Sequence, residues 1–107
     1  MRRKEFKARL KKCTDVTHSR HVIEDKYERG IVKRKNVENN LKNPERLIRF
    51  REEESIKSGT FKYKVWFALS RAKVLGVVVE LNDKTHVITA WEIINKWQKK
   101  VWSIWKK

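Results

Sequence analysis

The stretch from Thr60 to Ser70 constrains the fold more than any other part of this chain. Over it, Phe61, Tyr63, Val65, Phe67 and Leu69 alternate with Lys62, Lys64, Trp66, Ala68 and Ser70. A period of two puts the first set on one face of a strand and the second set on the other. Such a strand needs neighbours. Val74 to Leu81 is nearly continuous apolar, as for a central strand covered on both faces. Asn82-Asp83-Lys84 predicts a tight turn into a strand over Thr85 to Trp91, and Leu47 to Arg51 reads as the first strand of the set. The expectation is a four-stranded antiparallel sheet.

Upstream of Asn43-Pro44 the apolar period lies near 3.6. Thr17 predicts the N-cap of a helix over His18 to Arg29, closed by Gly30, with Ile23 and Tyr27 four apart on its buried stripe. Lys33 to Leu41 predicts a second short helix with Val37 and Leu41 inward. Arg2 to Lys12, with Phe6 and Leu10 at i, i+4, reads either as a short helix or as a basic arm. From Glu92 the pattern is helical again. Ile93, Ile94, Trp97, Val101, Ile104 and Trp105 fall on one face, and Lys96, Lys99, Lys100 and Ser103 on the other. The predicted class is α+β: two N-terminal helices, a four-stranded antiparallel sheet and a C-terminal amphipathic helix. With 107 residues there is room for one core, so a single domain is expected over 1–107. Its parts are a basic arm or helix at 1–16, a core at 17–92 and the C-terminal helix at 93–107.

Charge narrows the partners. Lys and Arg outnumber Asp and Glu by 28 to 13, a net charge of +15. Repulsion on that scale is relieved by a polyanion, RNA first and an anionic membrane second. Cys13 is the single cysteine, so neither a disulfide framework nor a thiolate metal cluster is expected. The positive start is followed by no apolar stretch, unlike a secretory signal, and no run approaches a membrane span. These features together point to a cytoplasmic protein. A Gly-rich phosphate loop and a serine elbow are both missing from the sequence, which speaks against nucleotide-triphosphate and acyl-transfer chemistry. No cofactor is expected.

Two groups of residues could carry chemistry. On a helix over His18 to Arg29, the residues His18, Val22, Asp25 and Arg29 form one ridge with His21 beside it. Imidazole, carboxylate and guanidinium make a plausible acid–base and phosphate-binding set, although a solvated charged face would look the same. A site of His18, His21 and Asp25, with His86, is the metal-binding rival, but its spacing fits no dedicated motif. The second group lies on the sheet, where Lys62, Lys64 and Trp66 of one strand adjoin Arg49 and Arg51 of the next. Cations suit phosphates and an exposed flat ring suits an unpaired base, unless a helix buries Trp66. Arg71 and Lys73, in a strand-to-strand turn, are further cationic candidates.

The order Thr17-His18-Ser19, then Glu28-Arg29-Gly30-Ile31, Val37 and Asn43-Pro44, then Val87-Ile88-Thr89-Ala90-Trp91 resembles a family of small prokaryotic domains. These are similar to the BrnT and RelE toxins of the barnase–EndoU–colicin–RelE ribonuclease superfamily, and the resemblance covers residues 17–92. It implies a RelE-like fold and metal-independent RNA cleavage through the RNA's own 2′-OH. Carried over, it makes His18 a general acid or base, Arg29 a phosphate clamp and Thr89 a hydrogen-bond donor to substrate. His21 departs from the pattern, which leaves open which imidazole is used, and the basic Trp-rich tail exceeds it. A toxin-type endoribonuclease implies RNA as substrate and allows for a cognate antitoxin. The alternatives are a non-catalytic RNA- or DNA-binding protein and an interaction module. The latter would dock, or form a homodimer, through the C-terminal helix.

Overall fold

The computed structural model describes residues 2–13, 15–53 and 60–94. Three helices lie on one face of a five-stranded sheet. Helix α1 is Arg3–Lys12, and strand β1 is Val16–His18. Helix α2 starts at Arg20–Val22 and widens into a π-helical turn at Ile23–Tyr27, and α3 is Arg34–Lys42. A 3₁₀ turn, Pro44–Arg46, leads into β2 (Leu47–Glu53), followed by β3 (Phe61–Ala68), β4 (Val74–Leu81) and β5 (Thr85–Ile93).

The strand order is β1-β5-β4-β3-β2. Strands β2 to β5 form the antiparallel meander, but β1 adds to β5 in parallel, Val16 opposite Thr85 and His18 opposite Val87. The expected four-stranded antiparallel sheet is therefore corrected to a five-stranded mixed one. The missed strand is three residues long, too short to declare a period of two. It is held by tertiary bonds: Thr85 N–H donates to Asp15 O at 2.9 Å, and Ser19 N–H to Val87 O at 2.8 Å.

That strand also moves the helix start. Ser19, not Thr17, is the N-cap: its hydroxyl accepts from Val22 N–H at 3.1 Å and donates to Ile88 O at 2.6 Å. Gly30, at φ +71°, ends the helical segment, as only a residue without Cβ does cheaply. Among the described residues the N-terminal helices number three rather than the expected two, because Arg3–Lys12 is a helix. Phe6 and Leu10 are fully buried, and Phe6 stacks on Phe50 with ring centroids 4.2 Å apart.

At the other end the expected C-terminal helix is corrected as well. Alternation continues through Trp91, Glu92 and Ile93, with Ile93 opposite Val74, so β5 extends where a helix was expected to begin. There is no C-terminal helix among the described residues. The tail from 95 on, with Trp97, Val101, Ile104, Trp105 and the proposed dimer contact, lies outside them.

The core fills the space between helices and sheet. Phe6, Leu10, Val22, Val37 and Leu41 meet Tyr63, Val65, Phe67, Leu75, Val77, Val79 and Val87. Each large apolar side chain buried there stabilises the fold by about 1.5–3 kcal/mol. Among the described residues no helix is long and apolar enough to cross a membrane.

Candidate nucleic-acid interface

The face of the sheet turned away from the helices is organised in rows, because directly opposed residues on neighbouring strands share a face. The first row is apolar: Ala68, Val74 and Ile93, with Ile48 packed against them. The second runs Arg49, Trp66, Gly76, Trp91. The third runs Arg51, Lys64, Val78, Thr89, and the fourth Glu53, Lys62, Glu80, His86, Thr17. Rows are two residues apart, about 7 Å along the strands.

Two β-bulges shape this face. The register shifts between Leu47 and Arg49 and between Val78 and Val79. In β5 the shift leaves Ile88 and Thr89 side by side over one depression of about 370 Å³, also lined by Glu53, Lys62, Lys64 and Val78. A bulge re-aims side chains in this way wherever one strand carries an extra residue.

The aromatic row depends on a glycine. A Cβ on Gly76 would lie 2.2 Å from Cε2 of Trp91, so the indole lies flat against the β4 backbone only because Gly76 has none. Trp66 meets Trp91 edge to face, centroids 6.5 Å apart. Lys64 Nζ is 5.6 Å from the Trp66 ring and 5.2 Å from that of Trp91, and the Arg49 guanidinium is 5.3 Å from Trp66. Cation and ring are thus paired before any ligand arrives. Trp66 retains only 8% of its surface, so the ring accessible to a base is the half-buried Trp91, with Trp66 as its support.

In the fourth row Glu53 accepts from Arg51 Nη2 at 2.8 Å, and that bond holds its carboxyl below the usual carboxylate range. His86 Nδ1 and Thr17 Oγ1 share a hydrogen bond of 2.7 Å, which fixes the plane of the imidazole. Arg71 and Lys73 are exposed in the β3–β4 turn, and Lys73 Nζ lies 3.8 Å from Glu92.

The predicted helical ridge takes a different form. His18 sits at the end of β1, facing the helices, while Val22 is fully buried. The His18 side chain is 1% exposed and bonded at both ring nitrogens. Tyr27 O–H donates to Nδ1 at 2.8 Å, and Nε2–H donates to Glu38 at 2.9 Å. Glu38 also accepts from Arg34 Nε at 2.9 Å. Burial pushes the His18 imidazole below its ordinary pKa against the opposing pull of Glu38, and burial also raises the Tyr27 phenol. The hydrogen bond from Arg34 lowers the Glu38 carboxyl. The network ties β1, α2 and α3 together, with the π-helical turn delivering Tyr27.

His21 is exposed and pairs with Asp25 at 2.8 Å, and Arg29 is exposed in the turn after the helix. Thr89 lies on the opposite side of the sheet from His18. The structure therefore brings Arg49, Arg51, Lys62, Lys64, Trp66 and Thr89 together and leaves His18, His21 and Arg29 away from them. The metal-binding rival is not assembled either: among the described residues no three His, Cys, Asp or Glu side chains gather around one point. Sequence reasoning missed Glu53, Gly76 and Trp91 as site residues and weighed His86 only as a metal ligand. Strand parity alone would have put His86 and Trp91 with Lys64, once the bulge was known.

Described helices thus lie on one face of a mixed sheet, and a basic, tryptophan-bearing surface lies on the other. Comparison with protein-family models, curated proteins and solved structures yields no match.

Proposed function

We propose that this chain binds single-stranded RNA across the face of its sheet turned away from the three described helices and cleaves it there without a metal. The observation that carries this reading is the convergence of Arg49, Arg51, Lys62 and Lys64 with the Trp66–Trp91 pair on one face. A base stacked on Trp91 has its phosphate within reach of Lys64 and Thr89 in the next row, and unpaired bases are what such platforms take. The resemblance to the BrnT and RelE toxins points the same way, and an antitoxin under this reading would cover the same basic face.

Cleavage is supported by the depression between Glu53 and Thr89. A carboxylate, two ammonium groups and a hydroxyl line it, and His86 follows Glu80 along the same row. In the proposed step Glu53 takes the 2′-OH proton, the 2′-oxygen bonds to phosphorus, and the bond to the 5′-oxygen breaks. His86 protonates that leaving oxygen. The products are a 2′,3′-cyclic phosphate and a 5′-hydroxyl, with Lys62 and Lys64 balancing the phosphorane charge. His18, sealed on the helix side of the sheet and bonded on both nitrogens, takes no part in this step.

Incubation of the full chain with unstructured RNA in excess EDTA is the test. Cyclic-phosphate ends support the reading. Tight, salt-sensitive binding with intact RNA reduces it to a non-catalytic binder, and no binding at low salt removes it.

A further inference from the structure

A second polar recess lies on the helix side, at the end of the sheet where β2 begins and β3 ends. Its volume is about 610 Å³, and one wall is a stripe of carboxamides on and just after α3: Asn36, Asn39, Asn40 and Asn43. The i, i+3, i+4, i+7 spacing normally carries apolar residues toward a core. Here Val37 and Leu41 serve the core, and a second stripe is spent on asparagines, among the poorer helix formers. Among the described residues Asn40 has an evident local role, its Nδ2 donating to Asn36 O at 2.8 Å.

The opposite wall is Arg46 and Leu69. Arg46 Nη1 donates to Leu69 O at 2.8 Å, which pins the guanidinium plane beside an apolar side chain. Lys42 supplies a cation at the rim, and the neighbouring acid, Glu45, is paired with Lys11 at 3.2 Å. A fixed planar cation, an apolar surface and a row of groups that each donate and accept are what an unpaired nucleobase requires. Asparagine presents donor and acceptor side by side, the pattern that matches the N6 and N7 edge of adenine.

We propose that this recess is an adenine-binding subsite. The base would lie against Arg46 and Leu69, its edge read by the Asn39–Asn40 amides and its phosphate met by Lys42. The inference rests on the RNA-binding reading and extends it from affinity to sequence preference. Leu69 follows Ala68, the apolar end of the sheet's other face, and the exposed turn bearing Arg71 and Lys73 follows Leu69. A strand leaving Trp91 therefore rounds that turn to reach the recess, which gives Arg71 and Lys73 a role as phosphate contacts on the path.

The test compares a twelve-nucleotide 2′-O-methyl oligouridylate, which lacks the attacking hydroxyl, with the same oligomer carrying adenines near one end, by fluorescence anisotropy with the full chain. The adenine oligomer should bind about tenfold more tightly. Asn39→Ala with Asn40→Ala, changes that favour the helix, should abolish the preference while leaving oligouridylate affinity and its salt dependence unchanged. Arg46→Lys should do the same, keeping charge but losing the plane. Lys62→Ala with Lys64→Ala should weaken both oligomers equally. The subsite is overturned if the wild type shows no adenine preference or the asparagine variant keeps it. If no RNA binds even at low salt, the RNA-binding reading fails first, and titration with adenosine monophosphate then decides the recess. Saturable shifts of the asparagine side-chain amide resonances with that nucleotide, but not with uridine monophosphate or inorganic phosphate, sustain it. Any other pattern overturns it.

Discussion

His18 illustrates how one residue's role depends on what surrounds it. Because burial depresses its pKa, the unfolded chain, with imidazole near its ordinary value of about 6.5, binds more protons than the native state at mildly acid pH. Native stability is fully present above that value and declines as pH falls through it. Urea midpoints should therefore fall between pH 7.5 and pH 5, and His18→Gln should flatten the dependence. His18→Ala leaves the Tyr27 hydroxyl and Glu38 without their partner and should cost about 1–3 kcal/mol at pH 7.5. His86→Ala is expected to lower RNA cleavage by about a hundredfold or more with RNA affinity and melting temperature nearly unchanged. A substrate with sulfur at the bridging 5′ position, whose thiolate leaves without a proton, should restore the lost rate. Unrestored cleavage would show that the imidazole is not the acid. Gly76→Ala should displace the Trp91 indole, destabilise by about 1–3 kcal/mol and weaken RNA binding, read from tryptophan fluorescence and anisotropy together.

Among the elements, α1 and β1 are the two whose existence the local sequence left open or hid. Helix α1 has only Phe6 and Leu10 to bury, and its other positions are mostly basic. It is stabilised from outside, by the Phe50 and Tyr63 rings and by Arg3 Nη2, which donates to Ile48 O at 2.9 Å on the exposed edge of β2. Phe6→Ala should cost about 3–5 kcal/mol, measured by denaturant unfolding, although the Phe6 side chain faces the core and not the proposed RNA path. A cost near zero would mean that the segment is a dispensable arm. Strand β1 has no pattern of its own, yet Ser19 anchors its end and caps α2 at once. The same contacts determine which side of the sheet His18 faces.

For the whole molecule, net charge and sheet architecture together predict how RNA affinity responds to salt. If about six phosphates are neutralised across the basic face and the turn, affinity should fall about a thousandfold between 50 and 200 mM salt, as condensed counterions cease to be released. Salt-insensitive binding would contradict a phosphate-led interface. The same face has an apolar end, with Ile48, Ala68, Val74 and Ile93 behind the tryptophans, so contact there is graded from hydrophobic through aromatic to cationic across the first three rows. This gradient gives a bound strand a direction that charge alone would not.

How much of this was legible in the sequence follows from the range of the forces involved. The meander, its alternation and the grouping of Arg49, Arg51, Lys62 and Lys64 arise from periods within single strands and from short connections, and these are local properties. Helix α3 and its stop at Asn43-Pro44 are local in the same sense. The parallel β1–β5 pairing joins residues about seventy positions apart and adds only three residues of strand, so no local pattern announces it. That pairing moved the cap of α2 to Ser19, took His18 out of the predicted helical ridge and sealed its ring between Tyr27 and Glu38. The bulge in β5 put Thr89 in one row with Lys64, and Gly76 let Trp91 lie against the β4 backbone. The sequence by itself determined the four strands of the meander and which face of β3 is basic. Tertiary structure alone decided which imidazole meets that face, because hydrogen bonds and packing between distant segments determine it.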